Sequence, residues 1–220
     1  MAIYLTGGGD QEHFHQLDKR FIEELPSGAK IGLFGQACMD SSDALERIED
    51  CFDHKKIQSI ELVENPGTDL NQYDALMIEG GNTFKLIRSV RDTQFFTSIQ
   101  NFFKTGKSIY ADSAGAIILG SDVHTAFLGD DADEDQLSLQ DYRGLDLLNS
   151  WCVHAHATTE DFEDCEQILY QTGSPILALA EETGIIFQEK HIEVFGDEDL
   201  WIINFEGRSN YSPGSTCDIF

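Results

Sequence analysis

The sequence predicts an α/β fold: a three-layer sandwich with helices on both faces of a mostly parallel central sheet. Two observations carry the prediction. Through its first half the chain alternates short β-branched or apolar runs with stretches whose apolar residues recur at helical spacing, and repeated strand–helix units build parallel sheets. Several of those runs also stop at glycine-rich turns that lead into the next helical stretch, as strand ends do at the ligand-binding edge of open α/β sheets.

Residues 2–6 read as a first strand ending in Gly7-Gly8-Gly9, and residues 10–25 as a helix bearing Phe14, Leu17, Phe21, Ile22 and Leu25 at a spacing that makes one apolar face. Pro26-Ser27-Gly28 closes that unit. Residues 30–34 form the next strand, Ser41 or Ser42 caps a helix carrying Leu45, Ile48 and Phe52, and residues 57–63 give a third strand. A fourth, 75–79, is stopped by Gly80-Gly81. Helical patterns at 83–90 and 93–103 follow, punctuated by Gly106, before a strand at 108–111. Beyond Gly120 the order is less regular: an acidic loop at 130–135, a strand at 151–156, a helix at 159–171, and short strands at 176–180, 184–188, 191–195 and 201–204. No repeat and no Pro- or Ser-rich linker divides the chain, so one domain over 1–220 is expected, with the polar 206–220 segment loose.

Charge narrows the function classes. The chain has 14 Lys+Arg against 40 Asp+Glu, a net charge of −26. Without a basic patch it has nothing to neutralise phosphates, so neither nucleic acid nor an anionic membrane is an expected partner. Hydrophobic residues make up 41% of the chain, with 15 Phe among them, enough for a packed core rather than a disordered acidic tail. The segment MAIYLTGGGD has no basic leader, and no apolar stretch nears the ~20 residues of a membrane span. Five scattered cysteines without a C-x-x-C pair fit free thiols in a reducing compartment. The expected location is the cytoplasm.

Two turns carry the chemistry. In the first, the 108–111 strand runs through Ser113-Ala114-Gly115-Ala116 into an apolar helix. That is the layout of a nucleophile elbow, where a serine sits strained on a tight strand-to-helix turn and small flanking residues, here Ala111 and Gly115, permit it. The amide of Ala114 can then hold a developing oxyanion. The alternative is an ordinary βα junction in which Ser113 caps the helix. The second turn, Gly80-Gly81-Asn82-Thr83, also leaves a strand for a helix and can give the other oxyanion amide, or serve only as a turn capped by Asn82 or Thr83. Neither it nor Gly7–Gly9 has the G-x-G-x-x-G of a dinucleotide site.

A serine nucleophile needs a base. Of seven histidines, His154 and His156 lie at the end of a strand that leads to the same sheet edge, and either can serve. Cys152, His154 and His156 alternate along that strand and could instead bind zinc with a carboxylate, although no second Cys/His pair exists to complete a structural site.

Taken together, Gly80-Gly81-Asn82-Thr83-Phe84, Ser113-Ala114-Gly115-Ala116 and the later His156 resemble the peptidase E family of serine peptidases, which includes aspartyl dipeptidases and cyanophycinase. The likeness spans nearly the whole chain. It implies a fold similar to class I glutamine amidotransferases and a Ser-His-acid triad that hydrolyses small peptides through an acyl-enzyme, in the manner of a dipeptidase and with N-terminal Asp-X as the candidate substrate. No cofactor or metal is implied, and a homodimer is compatible with it. By this resemblance Ser113 is the nucleophile, His156 the base, and Gly81 and Ala114 the oxyanion donors. The acid falls between serine and histidine, within 130–135, and Asp133 is chosen. Asn82 and Thr83 would touch substrate. The chain departs from the family at Asp112, where a neutral residue is usual, at Ala111, which replaces glycine, and at Ala155 and Ala157, which flank the histidine in place of proline and phenylalanine.

An aspartyl side chain would need a cation. Between Lys107 and Lys190 the only Lys or Arg is Arg143, among 17 acids, so Arg143 is the first candidate, with Lys85 and Arg88 as alternatives. The same acidity is equally consistent with a substrate that is not anionic. Two other classes stay in view: a catalytically silent binding protein of amidotransferase-like fold, and a metal-binding protein built on Cys152, His154 and His156.

Overall fold

A computed structural model of the chain describes residues 1–37, 45 and 56–219. Its centre is β1 (Ile3–Thr6), whose side chains alternate between two buried faces: Ile3 and Leu5 on one, Tyr4 on the other. A strand buried on both sides is the mark of a sheet covered by helices above and below. β1 pairs in parallel with β5 (Ser108–Asp112), β5 with β4 (Ala75–Ile78), β4 with β2 (Ala29–Phe34) and β2 with β3 (Ile57–Leu62). Along its other edge β1 pairs antiparallel with β8 (Thr183–Gln188), which continues antiparallel into β9 (His191–Gly196) and β12 (Thr216–Asp218). This eight-stranded sheet thus joins a parallel half to an antiparallel half, with β1 at the seam.

The layers follow from the alternation. On one face α1 (His15–Glu24) sets Leu17 and Phe21, with Phe14 before it, against Tyr4, Ile31, Leu33, Met77 and Tyr110. The other face holds Phe84, Ile87 and Val90 of α2 (Thr83–Arg91), Phe95, Ile99 and Phe102 of α3 (Phe95–Lys104), and the short α4 (Ala114–Leu119), over Leu5, Leu76, Ile78 and Ile109. Each fully buried Leu, Ile or Phe contributes roughly 1.5–3 kcal/mol relative to exposure. A second sheet, in the order β11 (Gly207–Tyr211), β10 (Leu200–Asn204), β7 (Ile176–Leu179), β6 (Cys152–His154), packs one face into that same core through Val153, Leu177, Leu179 and Ile202. Its other face takes Phe162, Cys165 and Ile168 of α5 (Phe162–Thr172).

The α/β class and the strands of the first half stand where the sequence placed them, and two details differ. The 10–25 helix opens as a 3-10 turn, Gln11–Phe14, and becomes α-helical at His15. Within the segment expected to be loose, residues 207–218 supply β11, which hairpins onto β10, and β12, which pairs with β9. Their polarity reflects solvent-facing edge strands, since β11 is exposed along most of its length. The helix expected to be capped by Ser41 or Ser42 and to carry Ile48 and Phe52 lies outside the described residues, Leu45 apart. Among the described residues no helix is long and apolar enough to cross a membrane.

Candidate active site

β4 and β5 are parallel neighbours, so the turns that leave them meet at one edge of the sheet. Ser113 occupies the β5–α4 turn with φ 46° and ψ −113°, a backbone region that a non-glycine residue enters only at a cost of about 1–3 kcal/mol. Two hydrogen bonds and one close backbone approach hold it there. Its amide donates to Thr6 O at 3.1 Å, Ile117 N donates to its carbonyl at 3.0 Å, and a Cβ at Gly115 would come within 2.2 Å of Ile78 O, so no larger residue lets α4 sit this close to β4. The Gly80-Gly81 turn lies against the elbow: Gly81 has φ 129°, and a Cβ on it would fall 2.3 Å from Ala37 O.

His156 faces the serine, with Nε2 2.8 Å from Ser113 Oγ. It too has a positive φ, 53°, and its amide donates to Gly7 O at 3.0 Å. On the far side of the ring Nδ1 lies 3.2 Å from Glu181 Oε1. An ionised carboxylate only accepts, so this contact puts the proton on Nδ1 and leaves Nε2 as the acceptor for the serine hydroxyl. Glu181 belongs to the turn between β7 and β8, where its carbonyl accepts from Gly9 N at 2.9 Å.

The acid beside the histidine is therefore not Asp133, the residue chosen from the sequence. Asp133 is already used on the opposite side of the cavity, where its carboxylate accepts from Thr83 N at 2.8 Å and Asn82 Nδ2 at 3.1 Å. That arrangement braces the Gly80-Gly81 turn from the acidic loop. Glu181 escapes a reading of the sequence because it follows the histidine by 25 residues and reaches it only through the β7–β8 turn; the available signal was an acidic pair, Glu181-Glu182, directly after an apolar strand.

The other expected residues separate. Ser113, Gly81, Thr83 and His156 line one cavity of about 70 Å³, together with Ile117, Asp131 and Asp133. Ala114 begins α4 beside Ser113 and is buried. Asn82 instead serves as the N-cap of α2, its Oδ1 accepting from Lys85 N at 2.9 Å, while its Nδ2 donates to Asp133 and to Glu134 O. Arg143 does not reach the site. Its side chain is 81% exposed and paired with Asp141 at 2.6 Å, because the 141–143 strip is pinned by Arg91, which donates to the carbonyls of Asp141 and Arg143. Lys85 and Arg88 line a separate hollow beside Pro66 and Leu137.

Asp112, the family departure, has its Oδ1 accepting from Thr6 Oγ1 at 2.6 Å, so it ties β5 to β1. Cys152, His154 and His156 do not converge on a metal: alternation along the strand ends with β6 at His154, and His156 turns away at its positive φ. Cys152 lies 3.4 Å from Ser121 Oγ. His154 is buried with Nε2 3.3 Å from Asp161, which also accepts from Thr158 N and Thr158 Oγ1. Burial pushes the His154 imidazole below its usual range, against the pull of Asp161. This pair fastens the loop that carries His156. Among the described residues the sets close enough to share an ion are His13, Glu182 and Asp197, and Asp131, His156 and Glu181.

The family model for peptidase family S51 matches residues 3–195. Over 173 residues the chain is 24% identical to peptidase E of Nostoc sp., covering 74% of this chain and 69% of that protein. A shorter segment of 65 residues is 32% identical to the pyridoxal 5'-phosphate synthase subunit PdxT of Oceanobacillus iheyensis, spanning 30% of this chain and 32% of that one. The crystal structure of a peptidase from an acI-B1 Actinobacterium superposes with a TM-score of 0.71 at 16% identity, covering 99% of this chain and 96% of the other.

Proposed function

The chain belongs to peptidase family S51, serine peptidases of the peptidase E type, and from that premise we propose that it hydrolyses short peptides through an acyl-enzyme formed on Ser113. His156 Nε2 takes the hydroxyl proton as Oγ attacks the scissile carbonyl. Glu181 holds the imidazole in the required tautomer and offsets the charge of the imidazolium that forms. The amides of Gly81 and Ala114 receive the developing oxyanion. His156 then passes its proton to the departing amine, and water attacks the ester by the same route in reverse.

The observation that carries this reading is the 2.8 Å contact between Ser113 Oγ and His156 Nε2 on a serine held at positive φ. The small cavity around it, about 70 Å³, has room for a short side chain rather than an extended polypeptide, which favours dipeptide-sized substrates. An aspartyl preference has no support here, since among the described residues none that lines this cavity is Lys or Arg.

The test is labelling with a fluorophosphonate alongside hydrolysis of a dipeptide panel. Wild type should react at Ser113, and Ser113→Ala should lose labelling and at least about 10⁴-fold in kcat. A wild type that neither labels nor cleaves, or an alanine variant as active as wild type, overturns the proposal.

A further inference from the structure

The polar side chains that line the catalytic cavity are mostly paired within the chain. Ser113 faces His156, Asp133 accepts from Thr83 N and Asn82 Nδ2, and Thr125 Oγ1 donates to Val153 O at 2.5 Å. Thr83 differs. It lines the cavity and is fully buried, yet its Oγ1 has no hydrogen-bond partner among the described residues. A hydroxyl can both donate and accept, and burying it unpaired forfeits the bonds it made to water in the unfolded chain. Since the packing around Thr83 offers no partner, the cavity is the side from which one can come.

The cavity also defines the chemistry of that partner. Its volume of about 70 Å³ leaves room for a short side chain only. Asp131 and Asp133 stand in its wall, and among the described residues no Lys or Arg lines it, so a carboxylate would be repelled. Ile117, Ala126, Leu128 and Ala155 make up an apolar part of the wall, which suits a methylene but leaves the Thr83 hydroxyl unpaired. A short, neutral side chain that ends in a hydroxyl meets every one of these conditions.

We infer that the cavity is a subsite for a serine-sized polar side chain: the enzyme prefers peptides in which the residue acylated on Ser113 is serine, its hydroxyl paired with Thr83 Oγ1. The inference rests on the peptidase reading above, which also sets the direction. His156 hands its proton to the leaving amine, so the leaving residue departs past the imidazole, which borders a wider recess of about 650 Å³. The acylated residue stays bonded to Ser113 with its carbonyl oxygen towards Gly81, and Thr83 follows Gly81 by two positions, in the first turn of α2.

Two dipeptides of equal shape isolate the hydroxyl: Ser-Ala, and 2-aminobutyryl-Ala, in which a methyl group replaces it. Wild-type kcat/KM should favour Ser-Ala by at least about 10-fold, because a site built to bond a substrate hydroxyl is left with an unpaired group by the analogue that lacks it. Asp-Ala should be used less well than Ser-Ala. Thr83→Val keeps the shape of the side chain and the amide that donates to Asp133, and it should bring the ratio of the two isosteres to about one or below; Thr83→Ser should keep the serine preference. Equal use of the isosteres by wild type, faster cleavage of Asp-Ala, or a serine preference that survives Thr83→Val overturns the inference, and the wild-type comparison needs no variant to fold. Binding of the same peptides to Ser113→Ala, followed by calorimetry, reads the subsite without turnover. A serine preference there, in a protein whose wild type never labels with a fluorophosphonate, retains the subsite but not the peptidase mechanism; labelling without a serine preference in either assay retains only the mechanism.

Discussion

Glu181, behind the His156 ring, and Asp133, across the cavity from it, do different work, and substitution separates them. Glu181→Gln keeps the side chain's shape but can no longer anchor an Nδ1–H by charge; kcat should fall on the order of 10²-fold or more with KM little changed. Asp133→Asn leaves the histidine untouched and weakens the brace on Thr83 N and Asn82, so its loss should appear in KM as well as kcat. Steady-state kinetics on one dipeptide distinguishes the two, and an Asp133→Asn loss confined to kcat and larger than that of Glu181→Gln would restore Asp133 as the acid. The contrast also shows what is legible at this scale. Ser113 and Gly81 can be read from the sequence because a strand, a small-residue turn and a helix are contiguous, and the turn's geometry demands those residues. The acid is not, because a carboxylate reaches an imidazole from anywhere the topology brings one. Arg143 was legible only as a scarcity of cations, and scarcity does not fix position.

At the scale of elements, the glycine run after β1 explains how the histidine is seated. Gly8 has φ 107°, and a Cβ there would lie 2.2 Å from His156 Cε1 and 2.5 Å from Nε2. Gly7 and Gly9 are as tightly placed, against Ala180 O and Glu181 O at 1.8 and 2.5 Å from a Cβ. The run thus lets one loop touch both His156 and the turn that carries Glu181. Gly8→Ala should swing the imidazole off Ser113 and lower kcat about 10²-fold, the cost of a misplacement near 1 Å, while circular dichroism stays native. Unchanged kcat would show that the ring position is set elsewhere.

The packing of α1 on the sheet makes a second prediction at this scale. Asp18 is buried, accepting from Tyr110 Oη at 2.8 Å and Gln11 Nε2 at 2.6 Å. Burial pushes its carboxyl up from 3.8 to about 6, with the two hydrogen bonds pulling the other way. An acid whose pKa is raised in the folded state binds its proton more tightly there than when unfolded, so its contribution falls as pH rises between those two values. Asp18→Asn removes that titration. In urea unfolding the variant should gain on wild type from pH 4 to pH 6 and hold a plateau above, at most about 3 kcal/mol for a shift of two units. A difference that does not vary with pH over this window contradicts the assignment. The sequence showed Asp18 only as a polar position in an amphipathic helix; its burial depends on Tyr110, which the sheet places beneath it.

For the whole molecule, a net charge of −26 means that the folded chain repels itself, and mobile ions relieve that repulsion. Raising sodium chloride from 10 to 500 mM should therefore raise the melting temperature, and a melting temperature insensitive to salt would show the acids to be matched by pairs already in the fold. The class of fold was legible at this scale because alternating strand and helix patterns are local. The polar strands β11 and β12 were not, since an exposed edge strand and a loop share a composition.

The position of β1 at the seam has one more effect. Its end and the glycines after it bond to the elbow through Thr6, to the histidine loop through Gly7 and to the glutamate turn through Gly9, each partner more than 100 residues further along the chain. Each is brought in by a separate closure of the chain, and long closures form late and together with the sheet. Until they have formed, Ser113 is an ordinary alcohol with no imidazole in reach. The site is thus kept unassembled by the topology itself: a half-folded copy carries the hydroxyl without the groups that would face it.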